Sequence, residues 1–342
     1  MTRPSVTAPS ARRGPLVALI VAAGLGIAAS VLAACGADHR AALGDPATTS
    51  LVADAAFPVA LVAEADGGLL YGERLTGRIR RVAPDGSLDP APLAAVATRG
   101  AVDDQRGLLG LTRDPAGRLF AAWTRADDGH LVVAELQAAP GQAPLAAPRL
   151  VWVGPPSADL ANGGHLVASP DDRLVIGIGD LQADRALADD PTVPNRKVLA
   201  LDPDGAPGQT PTVLSSGWNN PFALTYDGDG RLWVADNTGS EGPERIGRGD
   251  QPADRARALG GPVEGAIAPS VLVALDHDRL GLCGFLSGRL QLVRISDGRP
   301  SAPGPTVADT CATGGVVLTD GRIVTATPTE IRVRTGLGRQ GS

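Results

Sequence analysis

Hairpin turns of one type recur along the chain, and they constrain its fold more than any other feature. Each turn carries Gly or Asp, usually followed by Arg, and then apolar residues that begin a strand. Six copies occur: Gly68–Tyr71, Gly117–Phe120, Asp172–Val175, Gly230–Trp233, Asp278–Gly281 and Gly321–Val324. Their spacing of about 43 to 58 residues is typical of four-stranded propeller blades. The sequence therefore predicts an all-β fold, a six-bladed β-propeller; the alternative, a pair of β-sandwiches, would not explain one repeated unit.

The stretch 161–180 is the clearest single unit of this pattern. Leu166–Ala168 and Leu174–Ile176 predict two strands, and Ser169–Asp172 predicts the tight turn between them. Glycines cluster at the open ends of this hairpin, at positions 163, 164, 177 and 179. Such glycines indicate close backbone approach or positive φ, and either a ligand or strand packing would require them.

Composition supports a folded β protein and excludes several function classes. The 342 residues are 43% hydrophobic and 20% charged, and 44 Gly and 29 Pro favour short strands joined by turns. The net charge of −6 disfavours a nucleic-acid partner. No zinc-binding spacing, nucleophile elbow or phosphate-binding loop is found.

Two further groups of residues have a structural interpretation. We predict turns rather than calcium loops at three acidic stretches, Asp202–Gly205, Asp227–Gly230 and Asp276–Asp278. We predict packing between blades for the four tryptophans, Trp123, Trp152, Trp218 and Trp233.

The N-terminal segment has the pattern of a lipoprotein signal peptide. Arginines precede the uncharged run Leu16–Leu32, and Leu32–Cys35 matches a lipobox; a short membrane anchor is the alternative interpretation. We predict a signal peptide over 1–34, a lipidated Cys35 with a flexible tether over 35–50, the propeller over 51–335, and a disordered tail over 336–342. The protein is then expected to be a monomer, exported and held by its lipid on the outer face of the cell membrane.

Three cysteines are present, and Cys35 is assigned to the anchor. Cys283 and Cys311 remain as an even pair in a chain expected to enter an oxidising compartment. The sequence predicts a disulfide between them, and two unpaired buried thiols are the alternative.

Three stretches, Arg106–Leu111, Lys197–Gly205 and Gly217–Leu224, resemble the glucose/sorbosone dehydrogenase family. The similarity covers most of residues 55–334 and extends to lipid-anchored members of this group in actinobacterial envelopes. The resemblance implies a six-bladed propeller that uses pyrroloquinoline quinone (PQQ) and calcium to oxidise aldoses.

The resemblance also assigns site positions. Ala161 stands where the family has its general-base histidine, His165 stands at an arginine of the same motif, and Asp180 matches the family's active-site aspartate. The cofactor-facing positions are Gln182, Asn219 in place of an arginine, Asn220, which is kept, and Phe222 in place of a glutamine. Other family cations fall near Ser287, Cys311 and Thr313, and Glu244 is the main residue retained from the calcium loop.

A quinone with three carboxylates needs opposing charge, since buried carboxylates without partners cost several kcal/mol each. We therefore expect a lipid-anchored propeller that keeps the family scaffold, has lost PQQ and calcium, and binds a carbohydrate, a cell-wall component or a protein partner. The alternative is an active PQQ-dependent aldose dehydrogenase with a rearranged site, in which Asp180 or His165 is the base.

Overall fold

The structure is a computed structural model, and it describes residues 48–137, 148–183, 185–188, 190–239, 242–260 and 266–335. The predicted signal peptide, Cys35 and the predicted tail lie outside these residues. The first strand begins at Thr48, so it includes the last three residues assigned above to the tether. No helix in the described ranges is long and apolar enough to cross a membrane.

Six antiparallel sheets confirm the predicted six-bladed β-propeller. Blade 1 contains β2 (Pro58–Ala63), β3 (Leu69–Glu73), β4 (Arg78–Val82) and β5 (Ala94–Ala95); blade 2 contains β6 (Leu108–Arg113), β7 (Leu119–Thr124), β8 (His130–Glu135) and β9 (Arg149–Pro156); and blade 3 contains β10 (Gly163–Ala168), β11 (Leu174–Ile178), β12 (Lys197–Leu201) and β13 (Thr212–Ser216). The hairpin predicted within 161–180 is β10–β11, with Leu166 opposite Ile176.

The remaining blades have the same order. Blade 4 contains β14 (Ala223–Tyr226), β15 (Leu232–Asp236), β16 (Glu244–Arg248) and β17 (Arg257–Gly260); blade 5 contains β18 (Pro269–Ala274), β19 (Arg279–Gly284), β20 (Leu290–Ser296), β21 (Arg299–Pro300) and β22 (Thr306–Ala308); and blade 6 contains β23 (Gly314–Val317), β24 (Ile323–Ala326), β25 (Ile331–Arg334) and β1 (Thr48–Val52). Short 3-10 helices occur at Arg185–Ala188 and Ala253–Arg255.

Two features close the ring. The innermost strands β2, β6, β10, β14, β18 and β23 each contact the next, and β23 contacts β2. The N-terminal strand β1 pairs antiparallel with β25, so the last blade is built from both ends of the chain. Residues Pro46–Ser342 form one compact unit that contains all six sheets, so we expect this unit to fold on its own.

The core is divided among the clefts between blades. Six hydrophobic clusters occur among the described residues, and each joins two neighbouring blades. The second strands of blades 1 to 4 are buried along their whole length because a neighbouring blade covers each face. All four tryptophans lie in these clusters, as predicted: Trp123, Trp152, Trp218 and Trp233. Burial of each such side chain stabilises the fold by roughly 1.5–3 kcal/mol or more.

The predicted disulfide is present and joins Cys283 at the end of the second strand of blade 5 to Cys311, just before blade 6. Both cysteines are fully buried. The bond closes a loop of 28 residues, which should stabilise the protein by about 3.5 kcal/mol through its effect on the unfolded chain.

The glycines of the 161–180 hairpin are explained by close backbone packing. A Cβ at Gly177 would lie 1.9 Å from the carbonyl oxygen of Pro221, and one at Gly179 would lie 1.9 Å from that of Ala161. These contacts join blade 3 to the loop before blade 4 and bring the segments of the predicted site together.

Candidate functional site

A pocket with a volume of about 260 Å³ lies at one end of the central channel. All six blades line it with residues at or next to the start of their innermost strands. One from each blade is Val59, Leu109, Gly163, Phe222, Ser270 and Thr313. We call this end of the ring the pocket end; the hairpin turns between the first and second strands lie at the opposite, turn end. The volume is just below the range of about 300–1,000 Å³ for drug-sized ligands, so the pocket suits one small ligand.

A repeated hydrogen bond shapes this end. In five blades the carbonyl oxygen of a residue before the innermost strand accepts a bond of 2.8–3.1 Å from an N–H at or beyond the end of the second strand. The donor and acceptor pairs are Arg74–Phe57, Thr124–Gly107, Leu181–Ala161, Asn237–Asn220 and Phe285–Ala268. Three of the donor residues, Arg74, Asn237 and Phe285, also line the pocket.

Non-glycine residues adopt left-handed backbone at three of the five acceptor positions. Phe57, Ala161 and Ala268 have φ of 55°, 55° and 51°. Residues in this region cost on the order of 1–3 kcal/mol each and persist where the surrounding structure holds them, most often around binding sites.

The loop that carries Asn220 is fixed by a buried ion pair. Asp236 accepts hydrogen bonds from the backbone N–H groups of Asn219 and Asn220, at 3.0 and 2.7 Å, and from Arg245 Nη2 at 2.5 Å. Burial raises the pKa of Asp236, against the effect of Arg245 and of the backbone donors. Asn220 itself accepts a bond of 2.9 Å from Gly163 N, and its Nδ2 has no hydrogen-bond partner among the described residues. This amide is therefore a free donor in the pocket wall.

Arg74 is the one cationic side chain among the residues that line the described pocket. It is buried, and its Nη1 donates to the carbonyl oxygens of Asp104 and Arg106 at 2.6 and 3.0 Å, while Nη2 donates to that of Ala101 at 3.2 Å. Burial lowers the pKa of Arg74. Both Nη atoms of its guanidinium hold the 101–106 loop in place, while its Nε has no hydrogen-bond partner among the residues that the structure describes.

The acidic residues beside Arg74 oppose an anionic ligand. Asp103 and Asp104 both line the pocket. Burial works against ionisation of Asp104, but hydrogen bonds from Ala101 N and Arg106 N and the Arg106 guanidinium outweigh it and lower its pKa. Asp104 is therefore charged at neutral pH.

Aromatic rings form much of the wall. The rings of Phe57 and Phe285 stack with centroids 6.5 Å apart, and Arg74 lies over Phe57 at 4.1 Å. Phe222 stacks on His165 at 5.9 Å, one level deeper in the channel.

Thr313 lies at the floor, where the pocket narrows into the channel, and it lines both. It is only 5% exposed, and its Oγ1 has no hydrogen-bond partner. A buried hydroxyl without a partner costs about 1–3 kcal/mol, so a ligand that bonds to Thr313 would recover that energy.

Asp180 is buried next to the pocket rather than in its lining. Its Oδ2 accepts a hydrogen bond of 2.9 Å from Asn219 Nδ2, and its Oδ1 accepts one of 2.8 Å from Gln182 N. The buried Arg196 has its Nη1 3.9 Å from Asp180 Oδ2, and Nε and Nη1 of Arg196 have no hydrogen-bond partner.

The methyl group of Ala161 is not among the pocket-lining groups, and its backbone N–H donates to Gln105 Oε1 at 2.8 Å. Gln182 is exposed on the adjacent loop, and its Oε1 accepts from Leu160 N at 3.1 Å. Asn220 and Phe222 are thus the predicted cofactor-facing residues that line the pocket, and Asn219, Gln182 and Asp180 form a hydrogen-bonded group beside it.

His165 lies in the channel below the pocket. Its Nδ1 accepts a hydrogen bond of 3.1 Å from Leu224 N, so the ring carries its proton on Nε2. Burial lowers the pKa of His165 to about 4, which keeps the ring neutral near pH 7.

Glu244, the residue predicted from the calcium loop, links blade 4 to blade 5. Its two carboxylate oxygens accept hydrogen bonds from Ile267 N and Ala268 N at 2.8 and 2.6 Å. Within the described ranges, no three His, Cys, Asp or Glu side chains come together as a metal site would need. Three other positions were expected to lack the cations of the family. Ser287 lies in the turn after the second strand of blade 5, and Cys311 is in the disulfide. Thr313 lines the pocket.

Comparison with known proteins accounts for this architecture. The family model for glucose/sorbosone dehydrogenases matches residues 55–250. The chain belongs to the glucose/sorbosone dehydrogenase family. A sequence comparison with curated proteins finds no match.

Solved structures of related proteins share the fold. A glucose dehydrogenase superposes with a TM-score of 0.73 at 20% identity, over 86% of this chain and 100% of that one. A putative glucose dehydrogenase from Thermus thermophilus gives 0.70 at 23% identity, over 85% and 100% of the two chains. The PQQ-bound aldose sugar dehydrogenase from Streptomyces coelicolor gives 0.66 at 21% identity, over 84% and 97%.

Proposed function

We propose that this family member is an envelope propeller that binds an uncharged, sugar-like ligand in its central pocket without PQQ-dependent oxidation. The observation that carries the proposal is the chemistry of the pocket lining. Its available hydrogen-bonding groups are mostly amides and hydroxyls, its walls are aromatic, and both Nη atoms of its one guanidinium donate to backbone carbonyls. The lipobox at Leu32–Cys35 supports anchoring through Cys35; comparing membrane fractionation of Cys35→Ala with that of the unchanged chain tests this part.

The pocket residues do not fit PQQ. The three carboxylates of PQQ need cationic partners, and Arg74 is the one cationic side chain in the described lining. The lining also contains the carboxylates of Asp103 and Asp104. Asn219, at the family's arginine position, is a neutral amide bonded to Asp180. A trianionic cofactor would therefore enter a pocket whose lining is negative on balance, which is unfavourable.

A neutral polyhydroxylated ligand fits better. Sugar hydroxyls both donate and accept hydrogen bonds. Within the described ranges the Thr313 hydroxyl has no partner, the Ser270 hydroxyl donates to Cys283 O at 3.3 Å and can still accept, and Asn220 Nδ2 is a free donor. The rings of Phe57 and Phe285 offer apolar surface to the C–H face of such a ligand. A ligand hydroxyl bonded to Thr313 would satisfy the buried oxygen at the floor.

The candidate bases are poorly placed for oxidation of a pocket-bound sugar. A methyl group at Ala161 cannot accept a proton. Asp180 is covered by Asn219 and does not line the pocket, and the Nδ1 of His165 already accepts from Leu224 N. These contacts favour binding over proton abstraction.

Calorimetric titration of Pro46–Ser342 with a panel of aldoses and methyl glycosides tests the proposal. We expect saturable binding, weakened about 5- to 10-fold by Thr313→Val, which removes one hydroxyl without changing the shape of the side chain. Thr225→Val, at a threonine of blade 4 that is not in the pocket lining, is the matched control and should bind as the unchanged protein does. Absence of binding to every sugar would overturn the proposal.

An active aldose dehydrogenase is the second candidate, supported by family membership and by Asp180 at the family's aspartate position. Dye reduction with added quinone, calcium and aldoses distinguishes the two. We expect no turnover. Saturable, sugar-dependent turnover that Asp180→Ala abolishes would establish the dehydrogenase instead.

A further inference from the structure

Exposed apolar side chains are concentrated at the pocket mouth. The described residues include five large apolar side chains with high exposure, and four are Val102 (77%), Leu160 (43%), Phe285 (47%) and Leu286 (67%). Val102, Leu160 and Phe285 line the pocket, and Leu286 follows Phe285 in the same turn. We call these four residues the apolar rim. The fifth, Val213 (39%), lies on the outermost strand of blade 3.

The apolar rim comes from three separate loops, which precede blades 2 and 3 and follow the second strand of blade 5. Its backbone is held in place: Arg74 reaches the carbonyl oxygen of Val102 at 3.5 Å, and Leu286 N donates to Ile267 O at 3.2 Å. Several exposed apolar side chains around one pocket indicate a binding surface, because leaving them in water is unfavourable.

The buried part of the pocket offers polar groups. Thr313 Oγ1 at the floor and Asn220 Nδ2 in the wall have no hydrogen-bond partner in the described part of the chain, and each of these residues is only 5% exposed. A ligand that contacts both the polar interior and the apolar rim is polar and uncharged at its inner end and apolar at its outer end.

We propose that the ligand is a glycoside with an apolar substituent, whose sugar occupies the pocket and whose alkyl or aryl group lies on the apolar rim. This inference rests on the proposed sugar-binding function and adds the class of ligand. A free aldose would fill the floor and leave the apolar rim in water, whereas an alkyl glycoside covers both.

The test compares matched pairs of ligands. Methyl and n-hexyl pyranosides of D-glucose, D-galactose and D-mannose are titrated into Pro46–Ser342 below their micelle-forming concentrations, with 1-hexanol as the apolar control. For any sugar that binds, we expect the hexyl glycoside to bind at least about tenfold more tightly, which corresponds to burial of roughly two methylene groups. 1-Hexanol alone should bind far more weakly than the hexyl glycoside.

Variants locate the effect. Leu286→Ser changes a rim side chain that is 67% exposed and does not line the pocket, so folding should be retained. We expect this variant to lose much of the hexyl preference and keep the affinity for the methyl glycoside. Val213→Ser is the matched control, and it should retain the full hexyl preference.

The outcomes separate this inference from the proposed function. Equal affinity for methyl and hexyl glycosides would overturn the inference alone and leave the apolar rim to a macromolecular partner. A hexyl preference unchanged in Leu286→Ser, or 1-hexanol binding as tight as that of the hexyl glycoside, would also overturn it. If no glycoside bound, the sugar-binding function itself would fail.

Discussion

Two buried aspartates flank strand β15, Asp227 in the turn before it and Asp236 at its end, and their partners differ. At the turn end, Asp227 accepts hydrogen bonds from Arg231 N, Arg231 Nε and Trp233 Nε1, at 2.9, 2.9 and 2.7 Å, all within six residues. At the pocket end, Asp236 holds Asn219, Asn220 and Arg245, which lie 9 to 17 residues away. The turn end is stabilised locally, whereas the pocket end depends on contacts that form only when loops meet.

The pKa values of Asp227 and Asp236 differ in the same way. Burial opposes ionisation of both carboxyl groups. At Asp227, the hydrogen bonds from Trp233 and Arg231 outweigh burial and lower the pKa, whereas at Asp236 burial dominates and raises the pKa. The local hydrogen bonds at Asp227 therefore outweigh the cost of burying its carboxylate. At Asp236 the cost of burial is larger than the effect of its partners, and this carboxylate holds the loop that carries Asn220.

The contrast extends in part to other blades. Turn aspartates pair with arginines a few residues away, as in Asp114–Arg118 and Asp320–Arg322, although Arg118 also donates to Asp204 in the next blade. At the pocket end, Arg74 reaches carbonyl oxygens 27 to 32 residues away, and Glu244 reaches N–H groups 23 and 24 residues away.

Replacing Asp236 and Asp227, each in a separate variant, is the strongest test of this comparison. Asp236→Ala should reduce the free energy of unfolding by about 4 kcal/mol, because it leaves Arg245 and two backbone N–H groups without their buried partner. Asp227→Ala should cost about 3 kcal/mol, because it leaves the Trp233 indole unsatisfied. Urea denaturation measures both values.

Ligand titration separates the two ends. Under conditions in which both variants are folded, Asp236→Ala should weaken glycoside binding and Asp227→Ala should not. Equal loss of binding in the two variants would contradict the separation of a local turn end from a pocket end.

The second prediction concerns His165, which lies between the two ends. Its folded pKa of about 4 is below its usual value of about 6.5, so the unfolded chain binds the proton more strongly between these pH values. The other side chains around it in the channel are uncharged. The stabilisation by neutral His165 is complete above pH 6.5 and is lost as the pH falls towards 4, by up to about 3 kcal/mol.

Unfolding free energies measured from pH 7 to pH 4 should therefore fall less for His165→Asn than for the unchanged protein. Asn is the matched control, since its Oδ1 can accept the Leu224 N–H bond without titrating. Identical pH profiles for the two proteins would show that His165 does not titrate as its burial implies.

The local character of the turn end explains why the fold could be predicted from sequence. Each turn is a short pattern, such as Gly117–Phe120, that specifies its own hairpin, and six such patterns at blade spacing specify a propeller. The disulfide could be predicted from the number of cysteines and the expected oxidising compartment, because Cys283 and Cys311 are the two cysteines outside the lipobox.

The pocket end could be predicted only in part. Asn220 and Phe222 were found through the family motif, and they line the pocket. Phe57, Arg74 and Phe285 were missed because Phe57 and Phe285 meet only when the ring closes. One local signal existed: a proline follows the pocket-end residue in three blades, at Pro58, Pro221 and Pro269. Proline disfavours helical backbone in the residue before it, so this repeat marks where the chain enters three of the innermost strands, although Phe57 and Ala268 themselves adopt left-handed backbone.

The smallest predicted effect is at a turn arginine. Arg322 pairs with Asp320 Oδ2 at 2.6 Å, but both side chains are substantially exposed, at 34% and 50%. Solvent and salt screen such a pair, so Arg322→Ala should change the free energy of unfolding by less than about 1 kcal/mol. The backbone bond from Arg322 N to Asp320 Oδ1 does not need the guanidinium, so the turn should keep its shape. Urea denaturation at low and high salt measures the effect, and glycoside titration should show none. A loss comparable with that of Asp236→Ala would mean that the repeated arginines, rather than the local turn backbone, hold the turn end together.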